Sequence, residues 1–225
     1  ENIQGCKIGY TQSDEITLLL TGYDTLTTDA WFDYSVQKLC SVSASMATFA
    51  FNKYFVEFSR DTIRRVNNTF TCTQEEANYV DNLERVISKG AMFDSRCFNI
   101  PKEEVTNYFY WRQVDSTRNS IQMLGQANFS HKELQHKSSS NIQDMLMLEK
   151  GINWNNCPTW QKRGSCAIKH NWTTTCAKTD ENGEVKSWVT ERPHWIIDND
   201  IPIFRNEGRE YIETGYYITK FFPEN

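Results

Sequence analysis

The 225 residues include 39% hydrophobic and 13% aromatic side chains with seven Trp, which excludes a disordered chain and provides for a packed core. A net charge of −5 excludes the broadly basic footprint of a nonspecific nucleic-acid binder. No apolar run approaches the roughly 18–20 residues of a membrane span, no basic and apolar leader opens the chain, and the seven Cys contain no Cys-x-x-Cys pair, so the expectation is a reduced, cytoplasmic protein with no membrane partner.

In chain order, residues 4–10 and 16–21 read as two strands joined by a turn, Gln12-Ser13-Asp14-Glu15. The second strand is almost continuously apolar, as for a strand covered on both faces. Two adjacent carboxylates at the start of such a strand suit a divalent cation, because Mg²⁺ takes one or two carboxylates together with phosphate oxygens and water. From residue 29 to about 54, Val36, Leu39, Cys40, Ser43, Ala44, Ala47, Ala50, Phe51 and Tyr54 recur at helical spacing and predict a long helix with a small-residue middle, able to lie close on a sheet. A Thr-x-x-Glu pattern at Thr73 predicts a helix over 73–88, ended by Lys89-Gly90. Residues 93–100 alternate like a short strand that stops at Pro101, and a second long helix is expected over 102–126 with Glu103 and Glu104 in its first turn. Short helices are expected at 130–134 and 138–149, then a hairpin of 164–172 with 186–190 that turns at Glu181-Asn182-Gly183.

The helix over 102–126 carries the densest chemistry, with Arg112, Asp115, Ser116 and Asn119 three and four apart on one face. Such a face lines a ligand site, with Arg for phosphate and Asn for a base or sugar edge, or else forms a structural network pairing Arg112 with Asp115. Charge is uneven along the chain. Residues 151–178 hold Lys162, Arg163, Lys169 and Lys178 without an acid, which suits a phosphate-bearing ligand, whereas 179–225 hold ten acids against five bases. Cys157, Cys166, His170 and Cys176 have spacings that match no common zinc pattern. His131 and His136, beside Lys132 and Lys137, read as solvated helix ends or as RNA contacts.

These pieces together resemble the tRNA-histidine guanylyltransferase family and its bacterial and phage-type relatives. The resemblance rests on Tyr10-Thr11-Gln12-Ser13-Asp14-Glu15, Lys38-Leu39-Cys40-Ser41, Phe93-Asp94-Ser95-Arg96 and the Trp-Arg-Gln-x-Asp run from Trp111 to Asn119. It continues through His136-Lys137-Ser138, Gly151-Ile152-Asn153-Trp154-Asn155-Asn156 and Trp160-Gln161-Lys162-Arg163-Gly164. It implies an α+β fold, a polymerase- and cyclase-like palm with helices on an antiparallel sheet. The domains expected are a palm-like catalytic part over 1–126 lacking its first strand, a part over 127–178 completing the nucleotide and tRNA site, and an acidic, aromatic, peripheral tail over 179–225.

The resemblance also implies a Mg²⁺-dependent nucleotidyltransferase that adds a nucleotide to the 5′ end of tRNA in the 3′–5′ direction, with two Mg²⁺ ions and with GTP and ATP as substrates. Asp14 is implied as the metal ligand and catalytic residue, with Glu15 supporting it and Ser13 at the triphosphate. Lys38, Ser41, Arg118 and Lys137 are implied at the phosphates, Asn119 and Asn155 at the nucleotide, and His136, Lys162 and Arg163 at the tRNA. A homotetramer is implied as well. The family's second carboxylate lies in an Arg-x-Asp-Gly strand upstream of the hairpin that this chain does not contain, so the chain is expected to be N-terminally incomplete. Thr117-Arg118-Asn119-Ser120 replaces the eukaryotic His-Ile-Asn-Asn, which favours the relatives that repair truncated tRNA 5′ ends. A noncatalytic tRNA-binding relic and a palm-type nucleotide cyclase are the alternatives.

Overall fold

A computed structural model describes residues 2–22, 27–69, 71–179 and 184–213. In chain order the elements are β1 (Cys6–Gln12), β2 (Glu15–Leu20), α1 (Val36–Asn67), α2 (Gln74–Lys89), α3 (Val105–Asn128), α4 (His131–Leu134), α5 (Ser139–Lys150), α6 (Thr159–Arg163), β3 (Ser165–Thr179), β4 (Val185–Asp198) and α7 (Glu210–Ile212). The chain divides into two compact units, residues 31–99 and the remainder.

The larger unit is built on a four-stranded antiparallel sheet in the order β2-β1-β3-β4. Alternation along the strands sends Ile8 and Tyr10 of β1 and Cys166 and Ile168 of β3 to one face, in facing pairs Ile8–Ile168 and Tyr10–Cys166. There they pack with Val105 and Phe109 of α3 and with Ile201, Phe204 and Ile212. Tyr10 meets the edges of Phe109 and Phe204 at ring-centroid distances of 6.1 and 5.7 Å. A second cluster joins Ile121 of α3 to Phe129 and to Ile142 and Leu146 of α5. Gly164, at φ 86°, makes the turn from α6 into β3; a Cβ there would stand 2.3 Å from the Thr11 carbonyl oxygen.

Two expectations for this unit need correction. The hairpin of 164–172 with 186–190 is much longer, 15 residues in β3 and 14 in β4, and only Ser165, Cys166, Ala167 and Ile168 pair with β1. Beyond them β3 and β4 run on as a two-stranded ribbon exposed on both faces, so no burial pattern marks its length. The turn at Glu181-Asn182-Gly183 lies outside the described residues. The tail expected to be peripheral instead supplies β4 and three fully buried side chains, Ile201, Phe204 and Ile212. Gln113 of α3 secures it, donating from Nε2 to the Pro202 carbonyl (2.9 Å) and accepting the Phe204 amide at Oε1 (3.0 Å). The acids of this segment sit between apolar anchors spaced too irregularly to show a period.

In the smaller unit, α1 begins at Val36 rather than 29, after a turn over Trp31–Tyr34 in which Phe32, Asp33 and Tyr34 have φ of 50–57°. It continues to Asn67, past the expected end near 54. The continuation shields Phe55, Val56, Ser59, Thr62, Ile63 and Val66 at helical spacing, a stripe hidden in the sequence by the surrounding charges. Helix α2 starts as expected, with Thr73 accepting the Glu76 amide and Glu76 accepting the Thr73 amide in a capping box. The strand expected over 93–100 does not form. Residues 91–96 alternate in exposure as extended chain does, but they meet the side chains of α1 in place of a neighbouring strand. Asn52 both accepts the Ala91 amide (2.7 Å) and donates to its carbonyl (2.8 Å), Thr48 accepts the Phe93 amide (3.1 Å), and Ser43 donates to Ser95 (2.7 Å).

Candidate functional site

The β1–β2 hairpin closes with Gln12 opposite Glu15, which leaves Ser13 and Asp14 as a two-residue tip with Ser13 at φ 49°. Strand alternation turns Gln12 inward, where it is 3% exposed, and leaves Ser13 and Asp14 in solvent. Gln12 Nε2 donates to Glu15 Oε2 (2.7 Å), and Arg112 Nη2 of α3 donates to the same oxygen. Arg112 also donates to Asp115 Oδ2 (3.2 Å) and lies 4.7 Å from the Trp111 ring centre. Asp115 further accepts Arg118 Nη2 (2.8 Å) and Asn119 Nδ2 (3.4 Å).

This network joins the hairpin to α3 and balances its own charge, two guanidinium groups against the carboxylates of Glu15 and Asp115. Asp14 is left as the uncompensated carboxylate of the turn, with no ion pair among the described residues. Burial alone would lower the Arg112 pKa, but its bonds to Glu15 and the nearby Asp115 outweigh that and hold it above the ordinary value. Beneath the network, burial pushes the Tyr10 phenol well up, so it stays protonated and donates to the Arg163 carbonyl (2.6 Å). Burial, with Asp198 adding to it, also pushes the Cys166 thiol up to about 12, which leaves it inert.

One residue further along α3 a second cluster begins. Ser120 Oγ accepts Trp154 Nε1 (3.0 Å) and donates to the Thr117 carbonyl (2.9 Å), with the Lys162 carbonyl 3.4 Å away. Lys162 Nζ donates to the Asn155 carbonyl (2.7 Å) and stands 5.8 Å from the Trp154 ring centre. The chain enters this cluster through Gly151, whose left-handed φ of 67° ends α5, and through Asn153, whose side chain accepts the Asn155 amide (3.0 Å).

Of the residues the sequence singles out, Ser13, Asp14, Glu15, Arg118 and Asn119 therefore share one neighbourhood, and Asn155 and Lys162 lie in the adjoining one. Arg163 is engaged internally, donating from Nε to the Ile201 carbonyl (3.0 Å). His136 (φ 62°) and Lys137 are exposed in the connection between α4 and α5. Lys38 and Ser41 belong to the other unit, exposed near the start of α1, where Lys38 Nζ lies 5.9 Å from the Phe32 ring centre and Ser41 Oγ donates to the Lys38 carbonyl (3.4 Å). Sequence reasoning overlooked Gln12 and Gln113. Their signal was an amide at an inward position of a strand and of a helix, where Leu or Val would ordinarily stand. Among the described residues no group of three or more His, Cys, Asp or Glu is placed to hold a metal, and no helix is long and apolar enough to cross a membrane.

A family model described as Thg1, tRNAHis guanylyltransferase, matches residues 1–101. Over 97% of its length the chain is similar to the solved structure of a bacterial tRNA(His) guanylyltransferase (Thg1)-like protein in complex with ATP, at 40% identity, TM-score 0.68 and 74% coverage of that protein. A structure of a bacterial Thg1-like protein in complex with GTP matches at 36% identity and TM-score 0.60, covering 95% of this chain and 70% of that one. The tRNA(His) guanylyltransferase of Saccharomyces cerevisiae, at 23% identity, TM-score 0.51 and coverage of 74% of this chain and 66% of that one, shares the fold. Among curated proteins, the uncharacterized protein R259 of Acanthamoeba polyphaga mimivirus is 29% identical over 170 residues, 71% of this chain. The tRNA(His) guanylyltransferase of Candida glabrata is 32% identical over 84 residues, 32% of this chain. The chain spans 54% and 35% of the lengths of these two curated relatives.

Proposed function

Because the chain belongs to the tRNA(His) guanylyltransferase family, with bacterial relatives solved in complex with ATP and GTP, we propose that it acts as a Mg²⁺-dependent nucleotidyltransferase adding nucleotides to the 5′ end of tRNA in the 3′–5′ direction. The observation that carries this reading is the exposed, uncompensated carboxylate of Asp14 at the tip of a hairpin whose neighbouring carboxylate is already engaged by Arg112 and Gln12. That donor set suits a hard cation that completes its shell with phosphate oxygens and water. Asp14 would hold Mg²⁺, which when bound supplies charge neutralisation and activation of the attacking 3′-hydroxyl. Phosphoryl transfer asks the protein mainly for positioning and electrostatics. Ser13 orients the triphosphate from the turn, and Arg118 and Lys137 neutralise phosphates. Asn119 and Asn155 hold the nucleotide, while His136, Lys162 and Arg163 serve the tRNA. Glu15 fixes the turn rather than binding metal. A palm-type arrangement, a homotetramer and a cytoplasmic location belong to the same reading.

The test is nucleotide addition to a 5′-truncated tRNA transcript, with a 5′-triphosphate or a 5′-monophosphate plus ATP. Addition should require Mg²⁺, and Asp14→Ala should lower it on the order of a hundredfold or more while leaving the melting temperature unchanged. Full activity in that variant would sink the role of Asp14. Salt-sensitive tRNA binding without NTP consumption would replace the reading with a noncatalytic one, and cyclic nucleotide formed without RNA would replace it with a cyclase.

A further inference from the structure

In the unit of residues 31–99, the sulfur of Cys40 on α1 lies 3.7 Å from that of Cys97. Cys97 is exposed and Cys40 half-buried. The approach has a structural cause. Residues 91, 93 and 95 are each fastened to α1, by Asn52, Thr48 and Ser43 in turn, and Cys97 is the next residue in that two-residue period. Three preceding anchors thus aim Cys97 at the helix turn that carries Cys40. The partner of each anchor moves steadily toward the start of α1, from Asn52 to Ser43 and then to Cys40, so the segment runs antiparallel to the helix with the thiols at its far end. We propose that Cys40 and Cys97 form a reversible intramolecular disulfide, an oxidation-sensitive fastening of the 91–97 segment to α1.

A disulfide needs a sulfur separation of about 2.05 Å, so the thiols must close by roughly 1.6 Å, within the reach of side-chain rotation about Cα–Cβ. With hydrogen peroxide as the oxidant, the exposed Cys97 thiolate attacks one peroxide oxygen and the O–O bond breaks, leaving a sulfenic acid and, after protonation of the departing hydroxide, one water. Cys40 sulfur then attacks the sulfenic sulfur, forming the S–S bond and releasing the second water. Two thiols give up two electrons and two protons, and one peroxide is reduced to two waters. Slight burial and then the neighbouring Cys40 raise the Cys97 thiol above its ordinary pKa, so thiolate is scarce at neutral pH and the bond forms faster as pH rises. The other cysteines make informative controls. Cys6 and Cys166 are buried, and Cys72 is exposed with its thiol directed to the Thr73 carbonyl (3.5 Å).

The experiment treats the full, reduced chain with hydrogen peroxide at pH 8, traps remaining thiols with N-ethylmaleimide and maps peptides without reduction. The expected result is a cross-linked peptide joining Cys40 to Cys97 within one molecule, both thiols returning on addition of dithiothreitol, and a melting temperature higher by about 5–10 °C in the oxidised form. Cys97→Ser should lose the cross-link and Cys72→Ser should keep it. Conversion of Cys97 to sulfinic acid while Cys40 still takes the maleimide would overturn the inference, as would a bond between two molecules. The map reads the bond itself, so its outcome is independent of the reaction proposed above.

Discussion

The two units hold themselves together by different means. In the sheet unit, Ile8, Tyr10, Phe109, Ile201, Phe204 and Ile212 are all fully buried, and the aromatic rings of Tyr10, Phe109 and Phe204 meet edge to face. In the unit of residues 31–99 the fully buried side chain of α1 is Ser59, while Phe49, Phe51, Tyr54 and Phe58 of the same helix are exposed. There the 91–95 segment is held by polar side chains of α1, Asn52 and Thr48 reaching its backbone and Ser43 the side chain of Ser95. One unit is stabilised by a broad apolar core removed from water, whereas the other has a thinner one, with Val80 and Leu83 of α2 as its buried apolar side chains among the described residues, supplemented by hydrogen bonds that each contribute only about 1 kcal/mol net. The comparison teaches that tightness in this protein is local, and that a substitution must be judged by the unit it falls in.

The sharpest way to break that contrast is a pair of identical truncations. Phe204→Ala removes a ring wedged between Tyr10, Phe109 and Tyr211 and should cost about 3–5 kcal/mol in denaturant unfolding. Phe49→Ala in α1, with that side chain 74% exposed, should cost about 0.5 kcal/mol or less. Equal losses would show that α1 is buried by an apolar partner under the conditions of measurement. A smaller effect tests the polar half directly. Asn52→Ala leaves the Ala91 amide and carbonyl without their partner and should cost about 1–3 kcal/mol. Amide exchange should accelerate at Ala91 and Phe93 and stay unchanged in β1. Unaltered exchange at Ala91 would mean that the segment is fixed by something other than the Asn52 bracket.

The same contrast explains what could be read from the sequence. Strands β1 and β2, helices α2 and α3 and the Gln12-Ser13-Asp14-Glu15 turn were legible because apolar periods or caps mark them, and the Arg112–Asp115 pair follows from their three-residue spacing on α3. The expected strand at 93–100 misled because alternation records extended chain without saying what pairs with it, and here the partner is a helix presenting Ser43, Thr48 and Asn52. The tail misled for the opposite reason. Its three core residues, Ile201, Phe204 and Ile212, are dispersed among acids, and the amide that holds two of its backbone groups is Gln113, nearly a hundred residues away. At the site, the engagement of Glu15 by Arg112 joins residues 97 apart in the chain, which no local pattern reveals.

The smallest expected effect sharpens the comparison through two matched devices. Each unit starts a helix with a capping box, Thr73 with Glu76 before α2 and Ser130 with Glu133 before α4. Bonds from the Thr73 amide and hydroxyl hold the Glu76 carboxyl below its ordinary value of 4.5, and bonds from the Ser130 hydroxyl and amide do the same for Glu133. A carboxyl depressed by folding adds stability above the unfolded pKa and loses it as pH falls through the lower, folded one, so both boxes should weaken below about pH 4.5. The consequences should differ. Helix α2 has no buried residue before Val80, so its first-turn amides should exchange faster on acidification, and Thr73→Ala, at a cost of about 1 kcal/mol, should remove that pH dependence. The single turn of α4 already contains Leu134, which packs against the second core cluster, and that apolar anchor should preserve its exchange protection at the same pH. If both helices fray together in acid, the box rather than the core is what secures α4, and the distinction between the two units fails at this point.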